Sequence, residues 1–327
     1  MLNVAASIAS AVNIDAASQH LCVLPLATLL ENVAGVYATL LAGGTVHLLP
    51  SETVGFVGSQ FDETLLHAAL LNTRTNTAIL IPELLNGLLH ALESGAAPLL
   101  NLQFLAVGGA KVSRHLLSRA QSLALPVYEG YGLSECASVV TLNTPQSTKI
   151  GSVGKALPHV QIKLAADNEL LVKGQRFLGY TNAAMEFNDV WWPTGDIGEI
   201  DEQGFVTISG RKKNMFITSF GRNVSPEWVE SVLLNAPCIL QACVYGEAKP
   251  WNIALIVAKP STTDLMIERA ITEANQQLPD YARIRAWLNV APFTPKNQQL
   301  TANGRLKREH IWQTYQQPMT ELYKDTA

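Results

Sequence analysis

Hydrophobic residues alternate between two patterns from Leu21 to about Val140. Short apolar runs (LCVLPL, TVHLLP, TAILIP, FLAVGG and PVYEGYG) are typical of buried strands. Between them lie longer segments with helical spacing, the first of which ends at Gly43 and Gly44. Strands separated by helices require crossover connections, so the pattern predicts an α/β fold with a doubly wound, mainly parallel sheet that helices cover on both faces.

A second pattern begins near Lys149. The segments VQIKL, ELLVKG, IGEI and FVTISG are short and are separated by turn residues, including Gly204 in DEQG. This arrangement is typical of hairpins. It predicts a small barrel-like β-subdomain after the parallel sheet.

The pattern changes again after Lys213. A strand in MFIT is followed by a helix that opens at Ser225 and Pro226, by the strands ILQACVYG and WNIALIVAKP, by a helix near residues 263–277 and by a basic tail. We therefore expect an α/β subdomain over 1–148, a β-subdomain over 149–212 and a mobile C-terminal α+β domain over 213–327.

The composition is low in charge. Of 327 residues, 15% are charged and 48% hydrophobic, whereas about 25% charged residues is usual. Either the core is large or some apolar surface faces a partner, and we favour the second interpretation. The net charge of −4 gives no general attraction to nucleic acid or anionic lipid.

The chain also carries few signs of export. The four cysteines have neither the density of a disulfide framework nor CxxC spacing, which predicts buried free thiols and a reducing compartment. The first residues lack a basic signal-peptide region, and the most apolar stretch is interrupted by Gly43, Gly44 and His47. A membrane span needs about 20 cleaner residues. We expect a cytoplasmic protein without a transmembrane segment.

Two motifs identify a family. YEGYGLSEC covers residues 128–136, and PTGDIGEIDEQGFVTISGRKKNMFITSFGRNVSPE covers 193–227. Together they resemble the AMP-forming adenylating enzymes, which include acyl-CoA synthetases and carrier-protein adenylation domains. The resemblance extends over nearly the whole chain in the family's order. It implies that ATP and a carboxylic acid give acyl-AMP and pyrophosphate, and that CoA then displaces AMP.

The first motif supplies candidate nucleotide contacts. The resemblance implies that Tyr131, next to Gly132, stacks on adenine, that Ser134 contacts phosphate and the acyl carboxylate, and that Glu135 binds Mg²⁺, a cation that prefers oxygen ligands. Another strand end is expected to frame the adenine and acyl pockets, and it consists of Gly108, Gly109 and Ala110. The alternative is a strand end whose Tyr packs and whose Glu is solvated. The neighbouring Lys111 is expected to be solvated.

The second motif supplies a candidate ribose site. Asp196 in TGD, which we expect in a tight turn, could accept hydrogen bonds from both ribose hydroxyls. The alternative is an Asp that only caps its turn. The resemblance implies that Arg211 reaches ribose or phosphate and that Lys213 is the hinge of the C-terminal domain. It also implies that a glycine-containing loop, formed by Gly221, Arg222 and Asn223, borders the thiol-acceptor channel.

Two positions depart from the family pattern. Arg305 stands where the family has its catalytic Lys, with Lys307 two residues later. Arg keeps the positive charge but is a bulkier, planar donor. In LPLATLLEN, Thr28 stands where a His is usual, so we expect Ala27 and Thr28 to widen the acyl pocket.

The sequence contains no phosphate-binding loop. No Walker-type GxxxxGK(S/T) occurs, GSVGK at 151–155 has the wrong spacing, and the family's Ser/Thr/Gly-rich loop is not found. The chain therefore resembles an adenylating enzyme without its N-terminal region, which another chain could supply. We expect it to be a poor catalyst alone, because the β- and γ-phosphates lose backbone and hydroxyl donors.

Three functional hypotheses remain. The first is an AMP-forming acyl-CoA synthetase, with a fatty acid favoured by the similarity of LPLATLLEN and GRKKNMFITSFGRNVSPE to long-chain fatty-acid ligases. The second is an adenylation partner that loads an acyl carrier protein. The third is a non-catalytic remnant that only binds nucleotide or a partner chain.

Overall fold

The structure is a computed structural model that describes residues 1–57, 60–174, 176–177, 179, 191–301 and 304–324. It consists of two compact units, Met1–Ser209 and Gly210–Ala327. The junction lies inside a strand, ahead of Lys213.

The first unit contains thirteen strands and five α-helices among the described residues. The strands are β1 Gln19–Cys22, β2 Thr45–Leu48, β3 Phe56–Val57, β4 Gln60–Phe61, β5 Thr77–Leu80, β6 Phe104–Val107, β7 Val127–Tyr131, β8 Thr141–Leu142, β9 Lys155–Ala156, β10 Val160–Leu164, β11 Glu169–Gly174, β12 Trp192–Ile200 and β13 Val206–Arg211. The α-helices are α1 Leu2–Ala11, α2 Ala38–Leu41, α3 Glu63–Asn72, α4 Pro82–Glu93 and α5 Arg114–Ser122. A π-helix covers Glu31–Tyr37 and a 3₁₀ helix covers Ser134–Cys136.

Seven strands form the main sheet in the order β2-β1-β5-β6-β7-β8-β9. The first five run parallel, and β8 and β9 add antiparallel pairs at one edge. Successive residues of β6 join different hydrophobic clusters, Leu105 and Val107 the one and Phe104 the other. Side chains of a strand alternate between its faces, so both faces of the sheet are covered. The predicted doubly wound fold is confirmed.

The predicted strand LCVLPL and the helix after it differ from the structure. Strand β1 ends at Cys22, because Pro25 has no N–H to donate to a neighbouring strand and the N–H of Leu24 donates to the Glu31 carboxylate instead. The helix expected over residues 28–43 contains the π-helix Glu31–Tyr37 ahead of α2.

The predicted hairpins form a second sheet of the first unit, in the order β10-β11-β12-β13. Strand β11 pairs antiparallel with both β10 and β12. Its inward side chains Leu170 and Val172 are buried. They pack with residues of the preceding segment, including Val153 and Val140, which fixes this sheet next to the end of β7.

The second unit is an α+β structure. Its strands are β14 Phe216–Ile217, β15 Asn223–Val224, β16 Ile239–Tyr245, β17 Asn252–Ala258 and β18 Ile284–Asn289, and its helices are α6 Pro226–Leu233, α7 Asp264–Gln276 and α8 Arg308–Glu321, with a 3₁₀ helix at Asp280–Ala282. Strands β14 and β15 form a hairpin, and β16, β17 and β18 form a mixed sheet in that order. Ala254 and Ile256 of β17 face one cluster, while Ile253 and Leu255 face the other.

Two further expectations concern the whole chain. Within the described residues, no helix is both long and apolar enough to cross a bilayer. All four cysteines are free, and Cys22, Cys136 and Cys243 are buried, as expected, whereas Cys238 is only half-buried.

Candidate functional site

The ends of the parallel strands bring several predicted residues to one edge of the main sheet. Gly108 follows β6, and Tyr131 is the last residue of β7. These strands are neighbours, and ligands of parallel sheets bind beyond such carboxyl ends. The edge therefore has the location expected of a binding site.

The backbone is closely packed at this edge. A side chain at Gly108 would meet the carbonyl oxygen of Gly130 at 3.1 Å. Gly109 has a positive φ of 83° and lies near Ile81, which follows β5. Gly108 is buried, while Gly109 and Ala110 are exposed. Gly109 has no side chain and Ala110 has only a methyl group. The exposed backbone of this segment can therefore lie close to a planar base.

The segment after Tyr131 folds back on itself in a strained conformation. A Cβ at Gly132 would lie 1.4 Å from the Ser138 carbonyl oxygen, so only glycine fits there. Ala137 and Ser138 have positive φ angles of 57° and 97°. The N–H of Val140 donates to the Tyr131 carbonyl at 2.8 Å. Left-handed non-glycine residues cluster at functional sites, which supports a binding role for this turn.

Ser134 and Glu135 project from that turn on the 3₁₀ helix. Ser134 is exposed and Glu135 is half-buried. In the described part of the chain, no group of three or more His, Cys, Asp or Glu side chains could hold a metal ion. Glu135 could therefore bind Mg²⁺ only together with oxygens of a ligand or water, which suits a cation that is usually held by one or two carboxylates and by phosphates.

Asp196 and Tyr131 form the central contact of the site. The Tyr131 hydroxyl donates to Oδ2 of Asp196 at 2.6 Å, between strands that belong to different sheets. Asp196 is buried. The expectation of a tight turn is wrong, because Asp196 lies within β12, although the preceding Gly195 has a positive φ of 73°. A turn-capping role is thereby excluded for its side chain.

The expectation that Lys111 is solvated is also wrong. Lys111 is half-buried, and its ammonium group donates to the Ile208 carbonyl. Burial lowers the pKa of Lys111, opposed by the charge of Glu129. Burial raises the pKa of the Glu129 carboxyl to about 8, opposed by Lys111 and by a hydrogen bond from the Val112 N–H. A Glu inside the apolar run PVYEGYG was the available sequence signal for this buried carboxyl.

The remaining nucleotide candidates belong to the second unit. Arg211 ends β13 and is half-buried, and its carbonyl accepts from the N–H groups of Asn214 and Met215. Lys213 is exposed in the turn that follows. An exposed turn residue is free to change its backbone angles without loss of core packing.

The predicted thiol-channel loop is the end of the β14–β15 hairpin. Gly221 has a positive φ of 71° and donates to the Thr218 carbonyl at 2.9 Å. Arg222 and Asn223 are exposed, and the Arg222 guanidinium lies 5.7 Å from the centre of the Tyr281 ring. The next helix begins at Pro226 as predicted, but the Ser225 hydroxyl does not cap it.

Arg305 lies close to Thr301 in the second unit. Its carbonyl accepts from the Thr301 N–H at 2.8 Å, and its own N–H donates to the Thr301 hydroxyl at 3.0 Å. The Arg305 side chain is exposed. Lys307 is also exposed and precedes α8. Both cations are accessible, so exposure does not separate the two candidates.

The acyl-pocket candidates follow β1. Ala27 is exposed, and Thr28 is half-buried with its hydroxyl donating to the Pro25 carbonyl at 2.7 Å. The Asn32 side-chain amide donates to the Leu26 carbonyl at 3.1 Å. The segment is therefore tied to the start of the π-helix.

Comparison with curated proteins gives partial matches. The long-chain-fatty-acid–CoA ligase FadD15 of Mycobacterium tuberculosis is 35% identical over 247 residues, which are 66% of this chain and 41% of that protein. The 2-succinylbenzoate–CoA ligase of Listeria monocytogenes is 29% identical over 267 residues, 78% of this chain and 55% of that protein. The chain thus spans about half the length of these relatives.

A solved structure shares the fold. The o-succinylbenzoate CoA synthetase of Bacillus subtilis, in complex with AMP, superposes with a TM-score of 0.74 over 93% of this chain and 63% of that one, at 24% identity. Family models match most of the sequence: residues 1–179 match that of the AMP-binding enzymes and residues 213–327 that of their C-terminal domain. With both models matched in order, the chain belongs to the AMP-binding enzyme family.

Proposed function

We propose that this protein is part of an AMP-forming acyl-CoA ligase that acts on a fatty acid. The observation that supports this most is the 2.6 Å hydrogen bond from Tyr131 to Asp196. It joins the residue expected at adenine to the residue expected at ribose, in a chain of the AMP-binding enzyme family. The 35% identity to a long-chain-fatty-acid–CoA ligase favours a fatty acyl substrate.

In this proposal, the first unit holds the nucleotide and the acyl group. The exposed backbone of Gly109 and Ala110 and the ring of Tyr131 contact adenine. Asp196 accepts hydrogen bonds from the ribose hydroxyls while it keeps the one from Tyr131, since a carboxylate has several lone pairs. Ser134 and Glu135 face the phosphate, where Mg²⁺ would supply charge neutralisation.

The second unit supplies the cation and the thiol channel. Arg305 bridges the carboxylate and the α-phosphate during adenylation. The hairpin that contains Gly221, Arg222 and Asn223 borders the thiol during thioester formation, and rotation at Lys213 exchanges the two arrangements. Arg211 contacts ribose or phosphate.

The proposal is tested by separating binding from chemistry. Calorimetry should detect AMP binding to the 327-residue chain. The chain should also convert a supplied fatty acyl-AMP and CoA to acyl-CoA and AMP, because that half-reaction needs no triphosphate site. An adenylation partner of a carrier protein would instead load a phosphopantetheinylated carrier and leave CoA unused. A remnant would bind AMP and form neither thioester, and absence of AMP binding contradicts the proposal.

A further inference from the structure

A buried polar network joins β1 to the start of the π-helix. His20 Nε2 lies 2.7 Å from Glu31 Oε1, and His20 Nδ1 lies 3.0 Å from the Thr77 hydroxyl. His20 is 2% exposed and Glu31 is completely buried. Burial of a carboxylate is costly unless its oxygens are hydrogen-bonded, so the partners of Glu31 determine where it can lie.

The second oxygen of Glu31 holds the chain just ahead of the acyl-pocket candidates. Oε2 accepts from the Leu24 N–H at 2.9 Å. The Cys22 thiol contacts the Leu24 carbonyl at 3.5 Å. Both backbone groups of Leu24 thus have side-chain partners, and the residues that follow, Pro25 and Leu26, leave the sheet. The network therefore fixes the direction in which the segment departs.

The π-helix that begins at Glu31 leaves space for the side chains of Glu31 and His20. Glu31 begins a π-helix, a form that is found mostly at functional sites. A Cβ at Gly35 would lie 2.4 Å from Glu31 Oε1 and 2.4 Å from His20 Nε2. Only glycine at this position lets the two side chains meet.

We propose that Glu31, oriented by His20, is a positioning residue that sets the depth of the acyl pocket by fixing residues 24–28. This inference rests on the proposed function. Ala27 and Thr28 lie three and four residues beyond the anchored Leu24, so loss of the anchor lets the pocket wall move while the strands that carry Tyr131 and Asp196 stay in place. Glu31 affects the length of acyl chain that is bound and leaves the nucleotide site unchanged.

The test compares AMP with stable acyl-adenylate mimics, the butanoyl, octanoyl and dodecanoyl sulfamoyl adenosines, by calorimetry. Glu31→Ala should weaken the preferred mimic about tenfold, because ligand binding must then order the segment that the hydrogen bond to Leu24 otherwise holds, at a cost similar to that of one hydrogen bond. It should also flatten the preference among the three. Gly35→Ala should do the same by separating Glu31 from His20. Glu31→Gln retains an oxygen for the Leu24 N–H and should restore most of the preference.

Thr39→Val is the matched control, because Thr39 is buried in the adjoining α2 and its hydroxyl has no partner. It should leave all four affinities unchanged. An unaltered preference in folded Glu31→Ala and Gly35→Ala would overturn the inference, as would an equal loss of AMP and of every mimic. A wild-type chain that binds neither AMP nor any mimic instead refutes the proposed function on which the inference rests.

Discussion

Arg308 donates two hydrogen bonds of 2.6 Å to the two carboxylate oxygens of Glu230. Glu230 also accepts from the Val244 N–H at 2.7 Å, and the Tyr245 hydroxyl donates to the Arg308 carbonyl at 2.8 Å. The pair fastens the start of α8 to α6 and β16. The exposed Arg305 lies three residues before Arg308, so it is close to a point of the chain that this ion pair holds in place.

Glu230→Gln should destabilise the second unit by about 3 kcal/mol, the lower end of the range for breaking a buried ion pair. The half-buried Arg308 loses the carboxylate that accepts two of its hydrogen bonds and keeps Glu227, whose Oε1 lies 3.6 Å away. Burial raises the pKa of the Glu230 carboxyl, and the charge of Arg308 opposes that shift. Urea unfolding monitored by tryptophan fluorescence measures the loss. Glu309→Gln, on the exposed side of the same helix, is the control. If the two variants are equally stable, the Arg308–Glu230 pair makes no net contribution to the free energy of unfolding.

Asp196→Ala should weaken AMP binding by about 1 to 3 kcal/mol, the range for hydrogen bonds to a charged group. Tyr131→Phe removes only the hydroxyl that orients Asp196 and should cost about 0.5 to 1.5 kcal/mol. Calorimetry measures both, and Glu202→Gln, an exposed charge of the same unit, is the control. If the affinity of Asp196→Ala for AMP is unchanged, the Asp196 carboxylate has only a structural role and does not bind the ribose.

Stability should fall as the pH rises through the titration of Glu129. Its carboxyl ordinarily has a pKa of 4.5, and burial raises this pKa to about 8 in the folded chain. Unfolding therefore releases a proton between these values. The stabilisation is complete below about pH 4.5 and is lost as the pH rises to about 8, with a slope of at most about 1.4 kcal/mol per pH unit.

Glu129→Gln should flatten this dependence, since a neutral amide does not titrate. Denaturant unfolding of the wild type and the variant at several pH values between about 5 and 8 provides the measurement. Lys111 and the Val112 N–H, which act on the Glu129 carboxyl, are unchanged in the variant. The difference between the two slopes therefore reports the titration of that carboxyl. Identical slopes would mean that Glu129 is ionised throughout.

In an enzyme reconstituted with a phosphate-binding loop, Arg305→Ala should depress acyl-AMP formation about a hundredfold, as loss of a group that stabilises transition-state charge does. Thioester formation from supplied acyl-AMP should remain nearly intact. Pyrophosphate exchange and CoA consumption report the two steps separately. Lys307→Ala is the matched control, and if it alone abolishes adenylation, Lys307 is the cation that acts.

Lys213→Pro should have the opposite effect. Proline fixes φ and restricts rotation at the exposed turn. In the same reconstituted enzyme, thioester formation should therefore slow while adenylation continues. Lys213→Ala keeps the backbone free and is the control. Equal behaviour of the two variants in both half-reactions would argue against a hinge at this position.

The sequence by itself determined the fold and most of the elements. A strand of a parallel sheet is buried on both faces, so nearly all of its residues are apolar. Each such strand can therefore be recognised within one short segment of the sequence, and the helical spacing between the segments indicates the crossover helices. The motifs YGLSE and TGD identified Tyr131 and Asp196 separately. Neither motif indicated their hydrogen bond, because it joins residues that are far apart in the chain.

Only the tertiary structure revealed the buried polar pairs. Nothing near Lys111 shows that its ammonium group reaches the Ile208 carbonyl or that its charge acts on Glu129. Nothing near His20 shows that a glycine in a π-helix admits Glu31 beside it. Asp196 was expected in a turn because the short segment TGD has turn composition, yet pairing with β11 extends it into a strand. The period of hydrophobic residues is a local property, whereas the partner of a buried charge depends on contacts between distant segments, which form only when the chain is folded.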